Sequence, residues 1–335
     1  MKEALFYEKT GNGTLRCDLC PHYCSLQPGY RGICQVRKNI DGILFSTSYG
    51  IVSSARFDPV EKKPFYHFYP GKEIFSVGGF GCNLHCVFCQ NHNISQVCDV
   101  DLPKDNLFTP EEIIKQSQKN QNSCAIAFTY NEPTVNFEFV AETAKAAKLR
   151  QIPVALITNG FINKEPLEYI LQYIDALNID LKAFSEDFYR KYTGGGTLPV
   201  LETIKTAKEQ NKHVEITFLV ISGLNDKLSE FNLMVNWIAD NIGKNTPFHI
   251  SRYYPAYKLK TEATQIDILT QLYEIAIKKL DFVYIGNIQN PEYLKTRCPN
   301  CYTVLVEREG YNSKISSLTT EGTCSNCARN VNFVL

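Results

Sequence analysis

Residues 76–95 read SVGGFGCNLHCVFCQNHNIS, and the reading of the whole chain turns on them. An apolar run, EIFSVGG at 73–79, passes into a glycine-rich stretch, and three cysteines follow at C-x3-C-x2-C spacing: Cys82, Cys86 and Cys89. Short apolar runs bounded by glycine read as strands. Gly78, Gly79 and Gly81 allow the backbone beyond the strand conformations that are closed to other residues. Three thiols therefore gather on a loop at the C-terminal end of a strand, where β/α barrels and doubly wound sheets both place their ligands.

From residue 73 onward, apolar runs alternate with helix-length amphipathic stretches. CAIAFTY, PVALITNG, DALNIDLKAF, HVEITFLVISG, PFHISRYYP and DFVYIGN are separated by segments such as VNFEFVAETAKAAKLR and LPVLETIKTAKEQ. Within the helical segments apolar residues recur three and four apart, as at Val135, Phe139, Val140 and Ala144. The strands are continuously apolar, as expected when both faces are covered. Repeated strand-helix units mean parallel βα architecture. Six or seven such units, with no G-x-G-x-x-G after the first strand, favour an α/β fold built on a partial (β/α)6-type barrel at 71–290. A doubly wound open sheet is the alternative. Residues 1–70 are rich in cysteine, glycine, proline and aromatics without a long periodic helix, and read as a loop-rich metal-binding segment. Residues 291–335 read as short strands between two C-x2-C knuckles, a separate small module. The sequence has no internal repeat.

The chain has 335 residues, with Lys plus Arg equal to Asp plus Glu at 35 each. A neutral balance carries no global bias toward nucleic acid or an anionic membrane. Apolar content of 44% and charged content of 21% are those of a globular protein. No basic-then-apolar leader and no 18-residue apolar run are present, so a cytoplasmic protein is expected. Thirteen cysteines in a reducing compartment point to metal rather than disulfides. Eleven fall into three groups: Cys17, Cys20, Cys24 and Cys34; Cys82, Cys86 and Cys89; Cys298, Cys301, Cys324 and Cys327. Cys98 and Cys124 stand apart and read as ordinary thiols.

Three thiolates hold three irons of a 4Fe-4S cluster and leave the fourth open, whereas electron-transfer clusters take four cysteines. An open iron chelates the amino and carboxylate groups of a ligand. The alternative is a three-cysteine zinc site completed by His85 or His92. Other polar residues fall at the same strand ends. Thr129, Tyr130, Asn131 and Glu132 follow the second strand, and Pro133 opens a helix. Glu132 is either a buried carboxylate in need of a cation or a helix N-terminal acid. Thr158, Asn159 and Gly160 end the third strand. Asp180 and Lys182 end the fourth on one face, as site residues or as a surface ion pair. Ser222, Gly223, Asn225 and Asp226 follow the fifth. His249 and Arg252 lie on the sixth, where a lone histidine is more often structural.

The N-terminal quartet, C-x2-C-x3-C-x9-C, closes a tetrahedral S4 sphere that suits zinc or a second iron-sulfur cluster. The C-terminal quartet reads as a zinc ribbon, with a rubredoxin-like iron site as the alternative. Folding of that tail is expected to depend on metal.

CNLHCVFC resembles the CxxxCxxC signature of the radical S-adenosylmethionine (SAM) superfamily, including the aromatic residue before the last cysteine. The similarity extends to YHFYPGKEIFSVGGFGCNLHCVFCQNHNISQ, FTYNEPTV, ITNG, NIDLKAF and both cysteine modules, which look like the radical SAM enzymes of the AmmeMemoRadiSam system, relatives of pyruvate formate-lyase activating enzymes. The resemblance implies that Cys82, Cys86 and Cys89 carry the catalytic 4Fe-4S cluster. It implies SAM contacts from Asn131, Glu132, Thr158, Asn159, Asp180, Lys182, Ser222 and His249. Ser222 stands where the related enzymes have the proline of a Val-Pro-Gly turn, which leaves the adenine contacts open. The implied activity is reductive cleavage of SAM into methionine and a 5′-deoxyadenosyl radical, which takes hydrogen from a protein or small-molecule substrate. A glycyl-radical-enzyme activase is one alternative, and a non-catalytic zinc-binding interaction protein another. Implied partners are a one-electron reductant of flavodoxin or ferredoxin type and either a glycyl radical enzyme or Memo-like and AMMECR-like proteins, with no membrane or nucleic acid.

Overall fold

The strand-like runs form one eight-stranded sheet in the computed structural model, which describes residues 1–98, 101–103 and 105–335. In chain order the strands are β1 (Ser54–Pro59), β2 (Glu73–Gly78), β3 (Ser123–Thr129), β4 (Val154–Thr158), β5 (Ala176–Asp180), β6 (His213–Val220), β7 (Phe248–Arg252) and β8 (Val283–Gly286). Each pairs with its sequence neighbour, from β1 at one edge to β8 at the other. From β2 to β8 all pairings are parallel, whereas β1 runs antiparallel to β2. A doubly wound sheet reverses its strand order at a switch point. This sheet does not reverse, so it is the open α/β barrel, extended by a seventh parallel strand and an antiparallel edge. That edge strand comes from the segment read as loop-rich. Ala55 and Phe57 pack toward the core, while Arg56 and Asp58 occupy the other face.

The connecting helices are α1 (Pro110–Ser117), α2 (Phe137–Leu149), α3 (Lys164–Leu171), α4 (Thr197–Glu209), α5 (Leu228–Asn241) and α6 (Ile266–Ala276). The start of α1 is written in the sequence as Thr109-Pro110-Glu111-Glu112. The Glu112 amide donates to the Thr109 hydroxyl at 3.2 Å, and the Glu112 carboxylate accepts from the Thr109 amide at 2.7 Å, a reciprocal cap. The apolar faces of all six helices close over the sheet. Among the described residues no helix is long and apolar enough to cross a membrane.

The N-terminal segment forms two small antiparallel sheets. It docks on α2 through Arg37, 1% exposed, whose guanidinium lies 3.1 Å from both carboxylate oxygens of Glu138 and 2.7 Å from the Leu5 carbonyl. A buried pair of this kind is destabilising to break from one side. The C-terminal residues add a three-stranded antiparallel sheet, Thr296–Arg297, Val304–Glu309 and Asn312–Ile315. Buried Arg308 ties it to the barrel by donating to the Leu294 and Tyr66 carbonyls and the Thr296 hydroxyl.

Candidate active site

The loop after β2 holds the cysteine triplet, and its glycines explain how it packs. A Cβ on Gly78 would lie 2.7 Å from the Ser53 hydroxyl and 2.8 Å from the Tyr130 ring. One on Gly81, whose φ is +84°, would meet Val36 at 2.7 Å and the Cys34 carbonyl at 2.8 Å. The missing side chains thus make room for neighbouring protein, and the N-terminal cysteine module presses directly on the loop. The loop is also held from below by the π-helical turn Tyr189–Thr193, whose Thr193 and Tyr192 carbonyls accept from the amides of His85 (2.7 Å) and Val87 (3.0 Å). Gly195 then passes so near Leu84 that a Cβ there would lie at 2.5 Å. The sequence reading did not single out this Thr193–Gly196 stretch; its signal was the triple glycine.

All three triplet residues line a cavity of about 560 Å³ at the C-terminal mouth of the barrel. The Cys82 sulfur accepts from the Leu84 amide at 3.3 Å and the Asn159 side-chain amide at 3.6 Å, and Cys89 lies 3.2 Å from the Ser95 hydroxyl. Burial drives the Cys82 thiol well up and the Cys86 thiol to about 12, the second against the pull of Lys182. Neither histidine considered as a fourth ligand lines the cavity: His85 is exposed and bonded to Gln96, and His92 stacks on Tyr257 with ring centroids 4.5 Å apart.

The other strand-end residues converge here too. Glu132 caps the short 3-10 turn Pro133–Asn136 and also faces the cavity. Its Oε1 accepts from the Thr134 amide and hydroxyl and from Thr158 Oγ1 (3.1, 2.8 and 2.7 Å), whereas Oε2, among the described residues, accepts from the Asn159 amide alone at 2.7 Å. Oε2 therefore keeps acceptor capacity toward the cavity. Burial raises the Glu132 carboxyl, and those hydrogen bonds oppose the rise. Lys182 Nζ reaches Asp180 Oδ2 at 3.0 Å inside the cavity. Burial works against the lysine charge but is outweighed by Asp180, Cys86 and Tyr189, so its pKa is raised. Asn131 lines the same wall and donates to the Gly81 carbonyl at 2.9 Å.

Ser222 and His249 do not line the cavity. The turn after β6 is braced by Asn225, which donates to the Lys182 and Leu219 carbonyls, both at 2.8 Å, and the Ser222 hydroxyl is buried beside it without a partner among the described residues. His249 shares a strand face with Ser251, which does line the cavity, but sits a residue pair deeper. There its Nε2 lies 2.7 Å from fully buried Glu215, which also accepts from His213 and the Tyr66 and His67 amides. His249 belongs to the layer beneath the site. Arg252 is spent on the Thr264 carbonyl at 2.7 Å.

The model of the Radical SAM superfamily matches residues 76–237. Residues 76–237 form a radical SAM domain. Over 338 aligned residues it is 40% identical to the uncharacterized protein MJ0808 of Methanocaldococcus jannaschii, covering 100% of both chains. It is 26% identical over 154 residues to pyruvate formate-lyase 1-activating enzyme of Escherichia coli, a match to 44% of this chain and 60% of that enzyme. A domain of pyruvate-formate lyase-activating enzyme from Bacteroides vulgatus superposes with a TM-score of 0.44 at 20% identity, over 49% of this chain and 99% of that domain. A domain of this enzymatic superfamily implies a 4Fe-4S cluster and SAM. The donor set fits both: three sulfurs, one from a buried and two from half-buried cysteines, with a carboxylate and an ammonium on one cavity.

The terminal quartets differ from the triplet. Cys298, Cys301, Cys324 and Cys327 bring four sulfurs within 4.8 Å of one another, with Cys298–Cys327 at 3.5 Å and Cys301–Cys324 at 3.6 Å. The edge of an S4 tetrahedron around an ion with bonds of about 2.3 Å is about 3.8 Å, so this quartet fits one metal ion. In the N-terminal quartet Cys17 and Cys34 are buried and Cys20 and Cys24 half-buried. A Cβ on Gly32 would lie 3.6 Å and 3.7 Å from the Cys24 and Cys34 sulfurs, so the turn passes within van der Waals reach of both thiols.

Proposed function

We propose that this protein cleaves SAM reductively and passes the radical to hydrogen abstraction from a substrate. The observation that carries the reading is the convergence of Cys82, Cys86 and Cys89 with Glu132 and Lys182 on one cavity. When bound, the cluster supplies the electron that splits SAM into methionine and a 5′-deoxyadenosyl radical. Cys82, Cys86 and Cys89 hold three irons. Glu132 Oε2 receives the SAM ammonium, and Lys182 neutralises its carboxylate while Asp180 keeps the lysine charged and in place. Asn159 binds both Glu132 and the Cys82 sulfur and so fixes cofactor and cluster relative to each other. The enclosing walls keep water from an unselective intermediate.

Activating-enzyme relatives support a protein substrate and a glycyl radical product. The AmmeMemoRadiSam likeness supports Memo-like and AMMECR-like partners instead. In both readings a flavodoxin- or ferredoxin-type protein delivers the electron in the cytoplasm, zinc fills the C-terminal quartet, and the N-terminal quartet takes zinc or a second iron-sulfur cluster. The deciding test is anaerobic reconstitution, reduction with dithionite and chromatography of the products. The site triplet should bind about four irons, and 5′-deoxyadenosine should appear only when SAM is present. A reduced, iron-loaded protein that forms none would overturn the assignment.

A further inference from the structure

Three cations crowd one side of the cavity mouth, and the site as described so far leaves them without a role. Arg56 comes from β1 and Lys62 and Lys63 from the turn that follows, all three lining the cavity and all three outside the segment matched to the superfamily. Among the described residues they share a single carboxylate. Asp58, 4% exposed, receives Lys62 and Lys63 at 2.8 Å each, with Arg56 at 3.8 Å. The next acid, Glu61, turns away and accepts from the Gly71 amide and the Ser313 hydroxyl. The acids deeper in the cavity are engaged elsewhere: Asp180 by Lys182, and Glu132 by Thr134, Thr158 and Asn159. Among the described residues, the rim is left with two uncompensated positive charges.

The rim is also built to a fixed shape. Tyr130 donates its hydroxyl to Asp58 and accepts from Arg56 Nε at 3.1 Å, while Lys63 Nζ lies 4.1 Å above its ring. Its backbone sits at φ +74°, a strained conformation for a bulky residue that clusters at functional sites when surrounding contacts enforce it. Charge count, fixed geometry and position point to a ligand. We propose that Arg56, Lys62 and Lys63 bind the phosphoryl group of a small phosphate monoester, holding the rest of the substrate over the SAM site. This assignment rests on the function proposed above. A phosphate monoester carries close to two negative charges at neutral pH, matching the rim, whereas a carboxylate would leave one cation unpaired. Lys63 is 2% exposed and the whole chain is electroneutral, so the rim is a recess for one group and not a track for a nucleic-acid backbone.

The test is calorimetric titration of the anaerobically reconstituted full chain, saturated with SAM, with inorganic phosphate, acetate and a short single-stranded DNA. Phosphate should bind with SAM in place and at least about tenfold more tightly than acetate. The double variant Arg56→Gln, Lys62→Gln, whose residues are the less buried members of the rim, should lose about tenfold in phosphate affinity with an unchanged melting temperature. Lys63→Met should lose more, and the double variant decides the matter if that buried substitution fails to fold. Equal phosphate affinity in the double variant, competition between phosphate and SAM, or tighter binding of DNA than of phosphate would each overturn the proposal. Assay of 5′-deoxyadenosine on the same preparation separates the two readings. Phosphate binding without SAM cleavage keeps the rim and removes the enzyme, and cleavage without phosphate binding does the reverse.

Discussion

The cysteine triplet after β2 and the quartet of the C-terminal module use the same ligand atom for opposite ends. In the quartet, four sulfurs close on a point, and the polar neighbours Thr303 and Asn326 pull the Cys301 thiol down to about 5. Four ligands leave the ion no open position. In the triplet, burial keeps Cys82 and Cys86 protonated until iron replaces the protons. There the cavity supplies what a fourth cysteine would have blocked. Closed ligation at a polar hairpin holds a fold together, whereas open ligation at a buried strand end performs chemistry.

The sharpest way to break that contrast is to remove one cysteine from each site. Cys86→Ala should abolish cluster binding and lower 5′-deoxyadenosine formation by at least about a thousandfold, with the far-ultraviolet dichroism spectrum preserved. Cys298→Ala should instead release the metal of the module and expose residues beyond about 290 to limited proteolysis, with SAM cleavage retained within a few fold. Equal loss of cleavage in the two variants would mean that the quartet also serves the reaction.

A smaller effect tests whether the open position is furnished by the strand ends. Lys182→Met removes a charge-assisted contact to the cofactor carboxylate and should weaken SAM binding by about ten- to a hundredfold, with iron content unchanged. Equilibrium dialysis with labelled SAM measures it. Unaltered affinity would assign Lys182 to the cluster alone, through its influence on Cys86.

The active end of the barrel was legible because period and position coincide. Continuous apolar runs mark strands covered on both faces, and their C-terminal ends carry the triplet, Glu132, Asn159 and Lys182. The basic rim was not legible. SARFDP is a six-residue edge strand whose charges alternate with Ala55 and Phe57, too short and too polar to separate from loop, and its antiparallel pairing depends on β2 being present. His249 shows a different limit. Two-residue periodicity gives the face of a strand but not the depth along it, so His249 and Ser251 look equivalent although only Ser251 lines the cavity. Depth was set by Glu215, whose buried carboxylate collects His213, His249 and two backbone amides.

A last test concerns how the closed-ligation module is fastened to the barrel. His67 lies at that junction, its Nε2 2.7 Å from the Tyr284 hydroxyl and its ring stacked 4.0 Å from Phe333. Burial lowers its pKa from 6.5 to about 3. Below pH 6.5 the unfolded chain therefore takes up a proton that the folded chain refuses until about pH 3, so this contribution to stability is complete above pH 6.5 and is lost as pH falls. The slope from one such group approaches about 1.4 kcal/mol per pH unit. His67→Phe keeps the stack and removes the titration. Urea denaturation of metal-loaded protein at intervals between about pH 6 and 4 should then show a pH dependence shallower by close to that slope. If wild type and variant lose stability in parallel, His67 is already protonated in the fold, and the junction is not the dry contact that its burial describes.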